Sequence, residues 1–282
     1  MEKFITLSNG VKMPLLGLGT FKAAEGESCY QAVLKALEVG YRHIDTAMGY
    51  GNEESIGKAI KDSKIPREEI FITTKLYPAK IGYKSAIVNL KESLKRLGTS
   101  YVDLYLIHWP SSNDLVNTHT WQAFEELYEA KLTRAIGVSN FNINHLEHLL
   151  PNAKIKPMVD QVELHPYLSQ KPLAKYLASE GIRVESYGPF AKGMVFEDET
   201  LKALAEKYNK TVANIVVRWG LEKNIIMIPK SITLSRIESN FEVFDFSLSK
   251  EDIAKIDDLN LGKRLYTDPD NCPFCPTEEF AI

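Results

Sequence analysis

Asp45, Lys75, His108, Ser139, Asn140, Gln161, Tyr187 and Lys230 have one thing in common in this 282-residue chain: each closes, or directly follows, a short apolar run. A carboxylate, an ammonium, an imidazole, a phenol and several amide and hydroxyl groups gathered in one place could move protons and orient a polar substrate. Taken singly, such residues have plainer readings, since an Asp at a strand end is often a helix cap and a Lys there usually reaches solvent. A set of eight is harder to assign to chance. Competing chemistries fare worse. The six histidines form neither His-x-His nor His-Glu-x-x-His, so a hydrolytic metal centre lacks its clustered ligands, and no metal is expected. Gly137-Val138-Ser139-Asn140-Phe141 resembles a serine nucleophile elbow without the closing glycine. A Schiff base on Lys75 would leave Tyr50 and the cations Lys230 and Arg236 without a role.

The apolar runs themselves are candidate strands: 15–19, 42–45, 70–75, 102–108, 134–139, 159–163, 183–187 and 225–229. Most are continuous rather than alternating, as expected of parallel strands covered on both faces. Between them lie helical patterns, clearest at Ile87, Leu90, Leu94 and Leu97 and again at Leu201, Leu204, Ala205 and Tyr208. Eight βα repeats of about 30 residues favour a closed (β/α)8 TIM barrel. A doubly wound open sheet is the competitor, but no Gly-x-Gly-x-x-Gly opens a helix after any strand. Asn9-Gly10, flanked by alternating residues, predicts an N-terminal β-hairpin that acts as a lid or cap. No low-complexity linker interrupts the pattern, so residues 1–282 are expected to form one domain. In a barrel, the strand C-terminal ends form one rim, which would bring all eight polar residues to a single mouth.

The segment Gly40-Tyr41-Arg42-His43-Ile44-Asp45-Thr46-Ala47-Met48-Gly49-Tyr50-Gly51-Asn52-Glu53 resembles the signature of the aldo-keto reductases. Four further motifs agree, in order: Leu106-Ile107-His108-Trp109-Pro110, Gly137-Val138-Ser139-Asn140-Phe141, Gln161-Val162-Glu163-Leu164-His165-Pro166, and Ile228-Pro229-Lys230-Ser231 followed by Arg236 and Asn240. The resemblance runs from the hairpin nearly to the C-terminus and implies NADPH-dependent reduction of an aldehyde or ketone. It maps a catalytic tetrad onto Asp45, Tyr50, Lys75 and His108. Carbonyl reduction needs a hydride on carbon and a proton on oxygen, and a free phenol with a pKa of about 10 is a weak donor at neutral pH. An ammonium from Lys75, kept charged by Asp45, would lower the Tyr50 pKa, while His108 orients the substrate oxygen. The resemblance further implies that Tyr187 stacks on the nicotinamide and that Ser139, Asn140 and Gln161 hold its carboxamide.

Lys230, Ser231 and Arg236 place two cations and a hydroxyl where a strand meets a helix N-terminus, a favourable anion site. NADP(H) is therefore expected over NAD(H), with Arg236 on the 2'-phosphate. Phe21, Met48, Tyr50 and Trp109 are the expected apolar substrate walls. Phe21, Gly188 and Ser239 depart from the mammalian pattern, which often has Trp, Ser and an adenine-binding Glu at these places; Asn240 then becomes the candidate for adenine. The short stretch 111–119 predicts a shallow, open substrate pocket.

A net charge of −3 gives no reason to expect nucleic acid or an anionic membrane as partner, and no apolar run approaches the ~20 residues of a span. The expected partner is a small-molecule carbonyl compound, and the expected state a cytoplasmic monomer. Three cysteines, an odd count, argue against a disulfide scaffold; Cys272 and Cys275 form a Cys-x-x-Cys that reads as exposed tail cysteines rather than as a metal or redox site. A cofactor-binding regulatory or sensor protein on the same fold is the alternative from another class, separable by NADPH oxidation with a panel of aldehydes.

Overall fold

The computed structural model describes residues 3–281. A two-stranded antiparallel hairpin comes first, β1 (Phe4–Thr6) and β2 (Lys12–Pro14), joined through Asn9-Gly10 as the sequence predicts. Eight parallel strands follow: β3 (Leu18–Gly19), β4 (His43–Asp45), β5 (Phe71–Leu76), β6 (Leu104–Ile107), β7 (Ile136–Ser139), β8 (Val159–Glu163), β9 (Arg183–Tyr187) and β10 (Ile226–Met227). They pair in strict sequence order. Parallel bridges from Leu16 to Met227 and from Gly19 to Lys230, with Gly17 N donating to Met227 O at 2.9 Å, join the first barrel strand to the last. The sheet thus closes into the expected (β/α)8 barrel.

Among the described residues ten α-helices surround it: α1 (Glu27–Val39), α2 (Glu53–Asp62), α3 (Tyr83–Leu97), α4 (Asp114–Glu129), α5 (Ile143–Leu149), α6 (Lys171–Glu180), α7 (Glu199–Tyr208), α8 (Val212–Glu222), α9 (Leu234–Phe241) and α10 (Lys250–Asp257). Their sequences carry their own stops. α3 ends at Gly98, whose φ of 63° lets its N–H return to the last turn, a conformation that costs a side-chain-bearing residue more. α8 begins with a reciprocal Thr211–Asn214 capping box. Most turn an apolar stripe inward; Phe124 of α4 stacks on Tyr105 of β6 at 4.3 Å and on Trp121 at 5.8 Å, and truncating any one of the three to Ala should cost about 3–5 kcal/mol. Gly137 is needed for close approach, because a Cβ there would lie 2.5 Å from the Val159 carbonyl oxygen.

The hairpin is a cap but not a lid over the polar rim. Asn9 Nδ2 donates to Arg134 O at 2.9 Å, and the Arg183 guanidinium donates to Thr6 O at 3.1 Å. Arg183 opens β9 and Arg134 precedes β7, so the hairpin closes the end of the barrel opposite the strand C-termini.

Candidate active site

The strand C-terminal ends open into a cleft of about 1310 Å³, larger than a small carbonyl compound alone would need. Its walls include Phe21, Asp45, Tyr50, His108, Trp109, Ser139, Asn140, Gln161, Tyr187, Lys230, Ser231, Arg236 and Asn240. The side chain of Lys75 is fully buried beneath the floor.

At the centre, β4 and β5 run side by side with Asp45 paired to Thr73, which sets Asp45 and Lys75 together. Lys75 Nζ donates to Asp45 Oδ1 at 2.7 Å, to Oδ2 at 2.8 Å and to Thr46 O at 2.9 Å. It lies 3.5 Å from the Tyr50 hydroxyl. Tyr50 ends a one-turn 3-10 helix (Met48–Tyr50), and its ring meets Phe21 at 5.1 Å and His108 at 5.6 Å. Burial, aided by the Lys75 charge, holds the His108 imidazole well below its usual range, so it is neutral. Its Nδ1 has no hydrogen-bond partner among the described residues.

The Tyr50 phenol differs from the expectation. Burial first, then the negative charges of Asp45 and Glu185, push it well above its ordinary value rather than below. The Lys75 ammonium lies at hydrogen-bond distance from the hydroxyl but is ion-paired with Asp45, so much of its charge is already offset. The phenol is therefore fully protonated at neutral pH.

Around this centre, Ser139 Oγ donates to Gln161 O at 2.8 Å, and Asn140, at φ 64°, turns its amide to donate to His108 O at 2.9 Å. Tyr187 OH donates to Asn140 Oδ1 at 2.7 Å, and its ring stands edge-on to Tyr266 at 5.3 Å. Gln161 Nε2 donates to Asp45 Oδ2 and to Glu185 Oε2, both at 2.8 Å. Two carboxyl groups fix that amide's orientation, leaving Oε1 to accept from another group.

At the far end of the cleft lie Lys230, Ser231 and Arg236. Among the described residues neither cation has an acidic partner, and Thr233 makes no side-chain cap at the N-terminus of α9. Unpaired cations beside open N–H groups fit an anionic group such as a phosphate.

Met48 does not line the cleft. In a 3-10 turn, residues two positions apart project roughly 240° apart, so turning Tyr50 inward directs Met48 elsewhere. Cys272 and Cys275 are joined as a disulfide rather than free: a turn in which Cys275 N donates to Cys272 O brings the two together. Between them Phe274 reaches the cleft wall and packs edge-on to Trp109 at 5.2 Å. Phe274, Tyr266, Lys192, Tyr77 and Thr211 line the cleft without having been singled out in the sequence. Glu163 holds part of this wall, accepting from Leu265 N at 2.6 Å and Tyr266 N at 3.2 Å. Beyond Phe274 the tail is strapped down where Asn113 donates to Thr277 O at 3.1 Å and Phe280 N donates to Ile81 O at 2.7 Å. The expectation of an open pocket from the short stretch 111–119 did not include this tail.

Residues 15–261 match the sequence profile of the Aldo/keto reductase family. The chain is 47% identical over 274 residues to the glyoxal reductase of Bacillus subtilis (strain 168), covering 97% of this chain and 99% of that one. It is 45% identical over 268 residues to the methylglyoxal reductase DkgA of Escherichia coli (strain K12), covering 94% and 96%. A Bombyx mori aldo-keto reductase, whose crystal structure is a complex with NADP, superposes with a TM-score of 0.90 at 37% identity, covering 97% of this chain and 98% of that one.

Proposed function

The chain belongs to the aldo/keto reductase family, and on that premise we propose that it is an NADPH-dependent reductase of small aldehydes and ketones in which Tyr50 gives the proton. The observation that carries the reading is the contact of a protonated, cleft-lining phenol with a fully buried, ion-paired ammonium 3.5 Å away. When bound, NADPH supplies the hydride. Ser139, Asn140 and the free Oε1 of Gln161 are suited to hold a carboxamide, Tyr187 to flank a flat ring, and Lys230, Ser231 and Arg236 to take phosphate. Asn240 lines the same end and is suited to adenine.

The chain's own groups then divide the work. Neutral His108 and the Tyr50 hydroxyl bind the substrate oxygen from two sides. Tyr50 releases its proton to that oxygen as negative charge builds on it, and the Lys75 ammonium stabilises the phenolate left behind. Asp45 holds the Lys75 nitrogen in place through both of its carboxyl oxygens. Phe21, Trp109 and Phe274 exclude water from the reacting carbon. Glyoxal and methylglyoxal, named in two relatives, are the first substrates to try; the whole described chain acts as one barrel domain.

Loss of NADPH absorbance with a panel of aldehydes tests the reading. Tyr50→Phe should lower kcat by about 10²–10⁴-fold while leaving the NADPH Kd within about threefold. Wild-type turnover by this variant would remove Tyr50 as the proton donor.

A further inference from the structure

Directly beneath the tetrad lies a second buried carboxyl that the mechanism above does not use. Glu185 shares a face of β9 with Tyr187 and points into the barrel, fully buried. Its surroundings can be named strand by strand. From β4 come Asp45 and His43, from β5 Thr73 and Lys75, from β8 the amide of Gln161, and above them the Tyr50 phenol. β10 contributes the apolar Ile226 beside it.

This cluster holds two carboxyls and one cation. The Lys75 ammonium directs its hydrogen bonds to both oxygens of Asp45, to Thr46 O and to Tyr50, and none to Glu185. His43 offers no compensating charge: burial and the nearby Lys75 hold its imidazole down to about 3, and its Nε2 bonds Thr73 Oγ1 at 3.0 Å while lying 3.7 Å from Glu185 Oε1. One amide nitrogen, that of Gln161, touches both carboxyls at 2.8 Å. Two buried carboxylates sharing one donor and one cation cannot both stay ionised at low cost, and the one without the lysine takes the proton. Oε2 of Glu185 accepts from Gln161, and Oε1, which has no hydrogen-bond partner among the described residues, is the oxygen free to carry it.

We propose that Glu185 is a positioning residue of the reduction: it shares the Gln161 amide with Asp45, works as a neutral acid, and on losing its proton weakens the Tyr50–Lys75 pair, so that Glu185 rather than Tyr50 sets the alkaline limit of activity. The inference rests on the reductase reading above. Burial and then the charge of Asp45 push the Glu185 carboxyl up to about 8, within reach of ordinary assay conditions, whereas the phenol titrates far above. Once ionised, Glu185 adds a negative charge that makes the Tyr50 proton harder to release.

Glu185→Gln preserves an oxygen acceptor for Gln161 and cannot ionise. Wild-type kcat with methylglyoxal should fall roughly tenfold per pH unit above about pH 8. The variant should keep a plateau kcat within about threefold of wild type and an unchanged KM, with its alkaline fall displaced upward by at least about one pH unit. Coincident alkaline limbs in the two proteins, or no wild-type fall near pH 8, would overturn the proposal.

Thermal melting without cofactor gives a second readout. A carboxyl whose folded pKa is raised stabilises the fold at low pH, and that contribution drains away as pH rises from the usual carboxylate range to about 8. The Tm of the variant minus that of wild type should therefore grow across this window and level off above it; a flat difference counts against the idea. Should Glu185→Gln not fold, infrared spectra of cofactor-free Asp160→Asn protein, which lacks the carboxyl of β8 that burial also keeps protonated, should show a protonated-carboxyl band lost with a midpoint near pH 8. Absence of that band overturns the proposal. A wild type without any reductase turnover would sink the reductase reading and the kinetic claim with it, while melting and infrared still decide whether Glu185 carries a proton.

Discussion

Asp45→Asn removes one charge from a pair shielded from water, and its cost can be worked from the geometry. Lys75 is fully buried, and Asp45, at 2.7 Å, is its only acidic partner among the described residues. At an effective dielectric constant of about 20, the attraction across that distance is about 6 kcal/mol before desolvation is counted. Removing one partner leaves an uncompensated buried ammonium, a loss of about 3–5 kcal/mol. For a chain of this size that corresponds to a fall in Tm of roughly 6–20 °C. Circular dichroism melts of the cofactor-free protein measure it. The double variant Asp45→Asn/Lys75→Met, with both charges gone, should recover most of the lost Tm but none of the lost turnover, because an apolar replacement of the whole pair is close to neutral for the fold while Tyr50 loses its cation. If Asp45→Asn alone melts within about 2 °C of wild type, the ammonium is not held by this carboxylate and the argument fails.

Two further outcomes are expected. Arg236→Ala should raise the NADPH Kd by roughly 10–100-fold and the NADH Kd by much less, as read by fluorescence titration; equal effects would remove Arg236 from the 2'-phosphate. Cys272→Ser/Cys275→Ser opens a ring of only four residues, so it should cost at most about 2 kcal/mol, yet it frees Phe274 from Trp109 and should raise KM for a bulky aromatic aldehyde severalfold while sparing glyoxal. Equal KM values for both substrates in variant and wild type would show that the ring does not shape the cleft.

The middle strands were the most legible part of the fold. The segments 159–163 and 183–187 coincide with β8 and β9 to the residue, β8 buried throughout and β9 exposed only at its opening Arg183. The runs 15–19 and 225–229 shrink to two-residue strands because they meet at the seam of the barrel, where isolated bridges replace a regular ladder. The rim residues were legible for a related reason: a polar side chain that ends an apolar run stands out. Tyr266 and Phe274 were not, since they sit in an irregular tail whose path depends on Glu163, Asn113 and Ile81 rather than on any local period. Met48 misled because proximity in sequence to Tyr50 is not proximity in direction. Glu185 carried a readable signal, since alternation along β9 puts it on the face of Tyr187. The direction of the Tyr50 shift depends on competing burial and charge in three dimensions, which spacing does not encode.

The hairpin, tied by Asn9 and Arg183 to the end of the barrel away from the cleft, leaves the molecule with two poles that have different tasks. Changes around its tip would be felt as a firmer or weaker scaffold, while new loops at the rim could retune which molecules are accepted without loosening the base beneath them. Such a split lets an ancestral scaffold acquire new tastes one loop at a time.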